Sequence, residues 1–217
     1  MFGWTPRTQP ARRACEQSGA GDGGLFLQTS GLVAGTVVAS ALGWRAVEAL
    51  AVGDGVLTFD NGMQRIEEVH RLHLWPDAAR SAPASWPVVV PEGALGNRTA
   101  LTLLPDQGVM IESDTACEVF GDPFAVVPAQ SLVGVRGIDR RAPTGPVELV
   151  ALVFAEPQVI HAGGGALIHC PPSRRTLDRF IEAPVEPYEM LSARDAGYLA
   201  ECLVAEDRLR GGWGAHG

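Results

Sequence analysis

The chain has 217 residues, a net charge of −8 and no lysine, its 17 basic residues all being arginine. That length, with 46% apolar residues, is enough for one full hydrophobic core with appendages. The acidic balance without a basic run argues against nucleic acid and anionic membrane as partners, and the missing lysine removes Schiff-base chemistry and a Walker lysine.

Residues 1–30 are rich in Gly, Arg, Gln and Ser and are expected to form a flexible N-terminal arm. They contain no charged segment followed by an apolar core, so no Sec-type signal is expected, and no apolar run in the chain reaches the roughly 18 residues of a membrane span. Cys15, Cys117, Cys170 and Cys202 are widely spaced without a C-x-x-C pair. Free thiols in a reducing compartment are therefore expected, with no metal and no cofactor.

From Thr36 the pattern predicts short strands. Thr36 to Ala39 leads through a turn at Gly43 and an apolar elbow, Val47 to Leu50, into a strand from Gly55 to Asp60. Asn61-Gly62 predicts a type I′ hairpin turn. His70 and His73, three apart on a strand, point to opposite faces, which argues against a shared metal. Residues 76–87, with three prolines, read as a loop. Strands are expected at Pro87 to Pro91, Leu101 to Leu104, Val109 to Glu112 and Phe124 to Pro128, with a helical turn at Ala129 to Leu132. Val147 to Phe154 and Gln158 to Ala162 read as a hairpin through Ala155-Glu156-Pro157, followed by a turn at Gly163-Gly164-Gly165. Trp44, Trp75 and Trp86 are expected in the core or at its edge. Beyond Cys170 the pattern breaks, and a single helix is predicted from Ser192 to Arg210, with Ser192 and Asp195 as its capping pair. The fold class is mainly β: a compact domain over 31–170, then a linker and C-terminal α-helix over 171–217.

Several ordered segments carry a resemblance: Gly35-Thr36, the run from Val47 to Thr58, Gly93-Ala94-Leu95-Gly96, Leu104-Pro105-Asp106-Gln107 and Val127-Pro128-Ala129. Together they resemble the bacterial, stand-alone kind of Hint domain, the fold shared by Hedgehog autoprocessing domains and inteins. In active relatives a Cys or Ser five residues before the Thr of the Gly-Thr pair attacks the preceding carbonyl. Counting back from Thr36, that position is Gly31, which has no side chain. The relatives' general-acid His, in a Ser/Thr-Pro-x-His segment, corresponds to Gln107, with Leu104 at the Ser/Thr position. Leu167-Ile168-His169-Cys170 is similar to the end of a splicing domain but lacks its Asn.

The resemblance thus implies a catalytically degenerate Hint-like domain, serving as a scaffold or protein–protein interaction module for an unidentified protein partner. The alternative is self-cleavage with Ser30 or Cys170 as nucleophile and His161 or His169 as base. A cytoplasmic location is expected; export by a non-Sec route or membership of a phage-like particle are the alternatives.

Overall fold

The computed structural model describes residues 30–171 and 188–209, so the expected arm, most of the linker and the glycine stop after the helix lie outside the described residues. Among the described residues there are fourteen strands and two α-helices. The strands are β1 Leu32–Val33, β2 Val37–Ser40, β3 Gly43–Ala46, β4 Gly55–Leu57, β5 Met63–Arg65, β6 Glu68–Leu74 and β7 Val88–Val90. Then follow β8 Leu101–Leu103, β9 Gly108–Glu112, β10 Phe124–Pro128, β11 Asp139–Arg140, β12 Val147–Val153, β13 Gln158–Ala162 and β14 Ala166–Cys170. The helices are α1 Asp114–Phe120 and α2 Ala193–Leu209. No helix among the described residues is long and apolar enough to cross a membrane.

One sheet has the order β11-β7-β8-β1-β12-β6 and the other β10-β9-β14-β13-β2-β4-β5, with β3 pairing β2 off that path. All pairings between these strands are antiparallel. Alternation along the strands turns Leu32, Val38, Leu103, Val150, Ile160 and Ile168 into one main core cluster. The apolar elbow is a single 3-10 turn, Val47–Ala49, that drives Val47 and Leu50 into that core.

Two expected turns differ from what forms. Thr58 is buried and bridges Ile160 of β13, so β4 and β5 are joined by a five-residue loop rather than by a two-residue turn. Thr58 N and Oγ1 both donate to Gly62 O at 2.8 Å, Asn61 N donates to Thr58 Oγ1, and only Gly62 has positive φ, which is incompatible with type I′. The expected Val147–Ala162 hairpin is also absent. β12 pairs β1 and β6 while β13 pairs β2 and β14, so Phe154 to Pro157 carry the chain from one sheet to the other. Phe154, 3% exposed, anchors that crossing in the core.

α1 was not expected. Ser113 caps it by accepting from Ala116 N, and Gly121, φ +81°, closes it in the left-handed conformation. α2 begins as the sequence predicts: Ser192 Oγ accepts from Asp195 N and donates to Asp195 Oδ2. Its apolar side, Ala196, Leu199, Ala200 and Leu203, is buried in the core cluster. Arg136, itself at φ +47°, holds Asp207 through Nε and Nη2 at 2.9 and 3.0 Å and reaches Ala94 O with Nη1. Thr115 of α1 hydrogen-bonds Glu206. Leu203→Ala is expected to cost about 2–5 kcal/mol in urea unfolding, the usual range for truncating a buried leucine.

Candidate reactive centre

β1 runs through the middle of its sheet, with Leu32 paired to both Val150 and Leu103, so Gly31 enters the fold with its backbone fixed. Its N–H donates to Gln107 Oε1 at 2.7 Å. The same side chain donates from Nε2 to His169 O at 2.7 Å and to Gly108 O at 3.1 Å. Gln107 is 1% exposed, and both ends of its amide are used. The turn Leu104 to Gln107 presents it: Gln107 N donates to the carbonyl of the buried Leu104, and Gln107 O accepts from Ala129 N. Thr36, also buried, closes the segment, its N–H on Val33 O and its carbonyl accepting from Val47 N at 2.8 Å.

Gly31 is not simply a position from which a side chain is missing. Its φ is +152°, and a Cβ placed there would lie 2.9 Å from Leu149 Cγ and within 3.2 Å of both Leu149 methyls. Leu149, on β12, occupies the space that a nucleophile's side chain would need. Gly31 offers no nucleophile, and an amide such as Gln107 gives and accepts hydrogen bonds without changing protonation near neutral pH.

The remaining candidates are spread over different faces. In the β13–β14 ladder Gln158 opposes Cys170, Val159 opposes His169 and His161 opposes Leu167. Cys170 therefore shares a face with Ile168 and Ile160, in the core, whereas His161 and His169 point the other way. Burial pushes the Cys170 thiol up to about 12, and neither histidine lies on its side of the sheet. Ser30 is half-buried immediately before Gly31.

His169 is buried over Gly108, where a Cβ would come within 2.9 Å of His169 Cβ and 3.1 Å of Nδ1. Among the described residues its Nε2 has no hydrogen-bond partner, and Tyr188 covers it edge to face at a 6.0 Å centroid distance. Burial lowers its pKa to about 4 and also lowers that of His161. Met110, Val126 and Val159 complete this second apolar cluster on the outer side of the sheet. Neither Leu149 nor Tyr188 stood out in the sequence. Only strand register places Leu149 against Gly31, and Tyr188 follows the undescribed linker.

Two outcomes follow from this geometry. Gln107→Ala leaves the Gly31 N–H and the His169 carbonyl without their partner, and urea unfolding should show a loss of about 2–4 kcal/mol. His169 has a folded pKa, about 4, below its ordinary 6.5. Its contribution to stability is present in full above pH 6.5 and is lost as pH falls through about 4, because the unfolded state takes up the proton first. Unfolding midpoints measured across that window should fall more steeply for the native chain than for His169→Phe.

The sequence profile of the Hint domain matches residues 30–167. Among solved structures, the chain is similar to a bacterial intein-like domain from Clostridium thermocellum, at 16% identity and a TM-score of 0.48. That alignment covers 64% of this chain and 98% of the other. It is also similar to the gp41-1 intein, at 13% identity and a TM-score of 0.39, again over 64% of this chain and 98% of that one. No match was found among curated protein sequences. Because the Hint profile spans well over half of the chain, from the residue before Gly31 to the middle of β14, the protein belongs to the Hint domain family.

Proposed function

We propose that this Hint domain has lost self-cleavage and serves as a scaffold or interaction module for a protein partner. The observation that carries this reading is the packing of Leu149 into the space beside Gly31, together with the backbone conformation of Gly31. A site awaiting a nucleophile would keep that space open. Gln107 supports it further, since its amide holds the entering backbone to the end of β14 instead of delivering a proton. Cytoplasmic residence belongs to this reading, supported by the free thiols of Cys117, Cys170 and Cys202.

The test is intact mass spectrometry of the purified full chain, fresh and after a day with and without dithiothreitol and hydroxylamine. Those reagents intercept thioesters and esters. A single unchanged mass is expected. A fragment boundary near Ser30 or Cys170 would overturn the proposal in favour of self-cleavage through that residue. Gly31→Cys is expected to gain no cleavage and to lose about 2–4 kcal/mol of stability, because the new side chain must displace Leu149 and adopt a strained φ.

A further inference from the structure

Immediately before α2, residues 188–191 cross the outer face of the sheet that holds β9, β10, β13 and β14. Met190 bridges Val126 in parallel and Leu191 N donates to Val126 O at 2.8 Å, so this strap adds itself to the edge strand β10. Tyr188, 8% exposed, packs with Met110, Val126 and Val159 in the second apolar cluster. α2 is held by other contacts: its Leu199 and Leu203 belong to the main core, and Arg136 holds its Asp207. A segment with its own small set of contacts opens locally, without unfolding the sheets it lies on.

Beneath the strap lies the His169 ring, 6% exposed, with no partner for Nε2 among the described residues. β9 presents Gly108 and Met110 to it, β10 presents Val126 and β13 presents Val159, with the half-buried His161 two residues along on the same face. The strap contributes Tyr188 and the exposed Glu189, and the loop between β4 and β5 contributes Phe59 and Asp60. Asp60 acts on the Tyr188 phenol, whose pKa is raised first by burial and then by that carboxylate. Among the described residues the histidine with a carboxylate in ion-pair reach is His70, through Glu68, and not His169. The neutral ring of His169 packs as an aromatic under Tyr188. An imidazolium in the same place is a buried charge without a counter-charge, which is far more costly.

We propose that residues 188–191 are an acid-released strap: protonation of His169 lifts Tyr188 from the sheet and takes Leu191 off the edge of β10, while both sheets and the docked α2 stay folded. Opening returns the imidazole to water, where it takes up a proton, and uncovers Met110, Val126 and Val159 together with the Val126 carbonyl. Burial sets the closed-state pKa at about 4 against an ordinary 6.5. Linkage then makes opening about 20-fold more favourable at pH 5 than at pH 7. The response is local, unlike the fall of global stability, and it concerns the His169 ring rather than the carbonyl that Gln107 holds. It is independent of how the reactive centre is read.

Hydrogen exchange of the full chain at pH 7 and pH 5, with each rate divided by that of an unstructured amide at the same pH, tests the strap. The Leu191 amide should exchange about 20-fold faster at pH 5 on this scale, with no such change at Val150 and Leu152 of β12 or Leu199 and Leu203 of α2. Proton NMR of the native chain should show the His169 ring titrating below pH 5. His169→Phe should abolish the response at Leu191. Tyr188→Phe, Asp60→Asn and His161→Gln should keep it, which places the proton on His169, and thermal melts at pH 7 identify the variants that fold. Four results would each overturn the proposal: Leu191 protection that ignores pH, equal acceleration in β12, a response that survives in folded His169→Phe or is lost in folded Asp60→Asn, or a His169 ring that titrates near 6.5. The first, second and fourth are read on the unaltered chain, so they stand even if a variant does not fold.

Discussion

A single side-chain amide ties the start of the β-domain to its last strand. Gln107 receives the N–H of Gly31, where the β-domain begins, and gives its own N–H to His169, one residue before β14 ends. An amide can accept at one end and donate at the other at any ordinary pH. The bond to His169 O is buried and that from Gly31 N partly so, and a buried polar group is costly to leave unpaired. Gln107, the position that the resemblance likens to the relatives' general-acid His, serves here as a cross-link of two hydrogen bonds.

Around that link the rest of the centre is filled. Leu149 covers Gly31, Gly108 lets the His169 ring come close to β9, and Tyr188 closes over the imidazole. The two sheets meet here because β1 sits at the middle of one and β9 and β14 are neighbours in the other. Close packing at such a junction leaves little room for a substrate-like backbone to rearrange.

Much of this was legible in the residues. Alternating β-branched stretches located most strands, Val47 to Leu50 announced the elbow, and Ser192 with Asp195 announced α2. The Gly-Thr and Pro-Asp-Gln segments singled out Gly31 and Gln107 separately, and only the fold brings the two together. What escaped was set by tertiary pairing. Nothing local in Val147 to Ala162 says that Phe154 turns the chain into a different sheet. Nothing at Leu149 says that it faces Gly31 rather than solvent. Asn61-Gly62 is a strong turn signal, yet the buried Thr58 hydroxyl and its bridge to Ile160 outweighed it. Trp44 read as a residue of the core or its edge, and size alone does not reveal that it lies half exposed on a hairpin strand.

α2 is joined to the β-domain by its apolar face and by the Arg136–Asp207 pair, contacts made to residues synthesised well before it. Residues 129–135 are therefore synthesised before the helix that covers them. Until residues 193–209 have been made, the nascent domain carries an uncovered apolar patch, and chaperones and proteases recognise such patches. Docking of the helix thus marks the moment at which the domain stops looking unfinished to the cell.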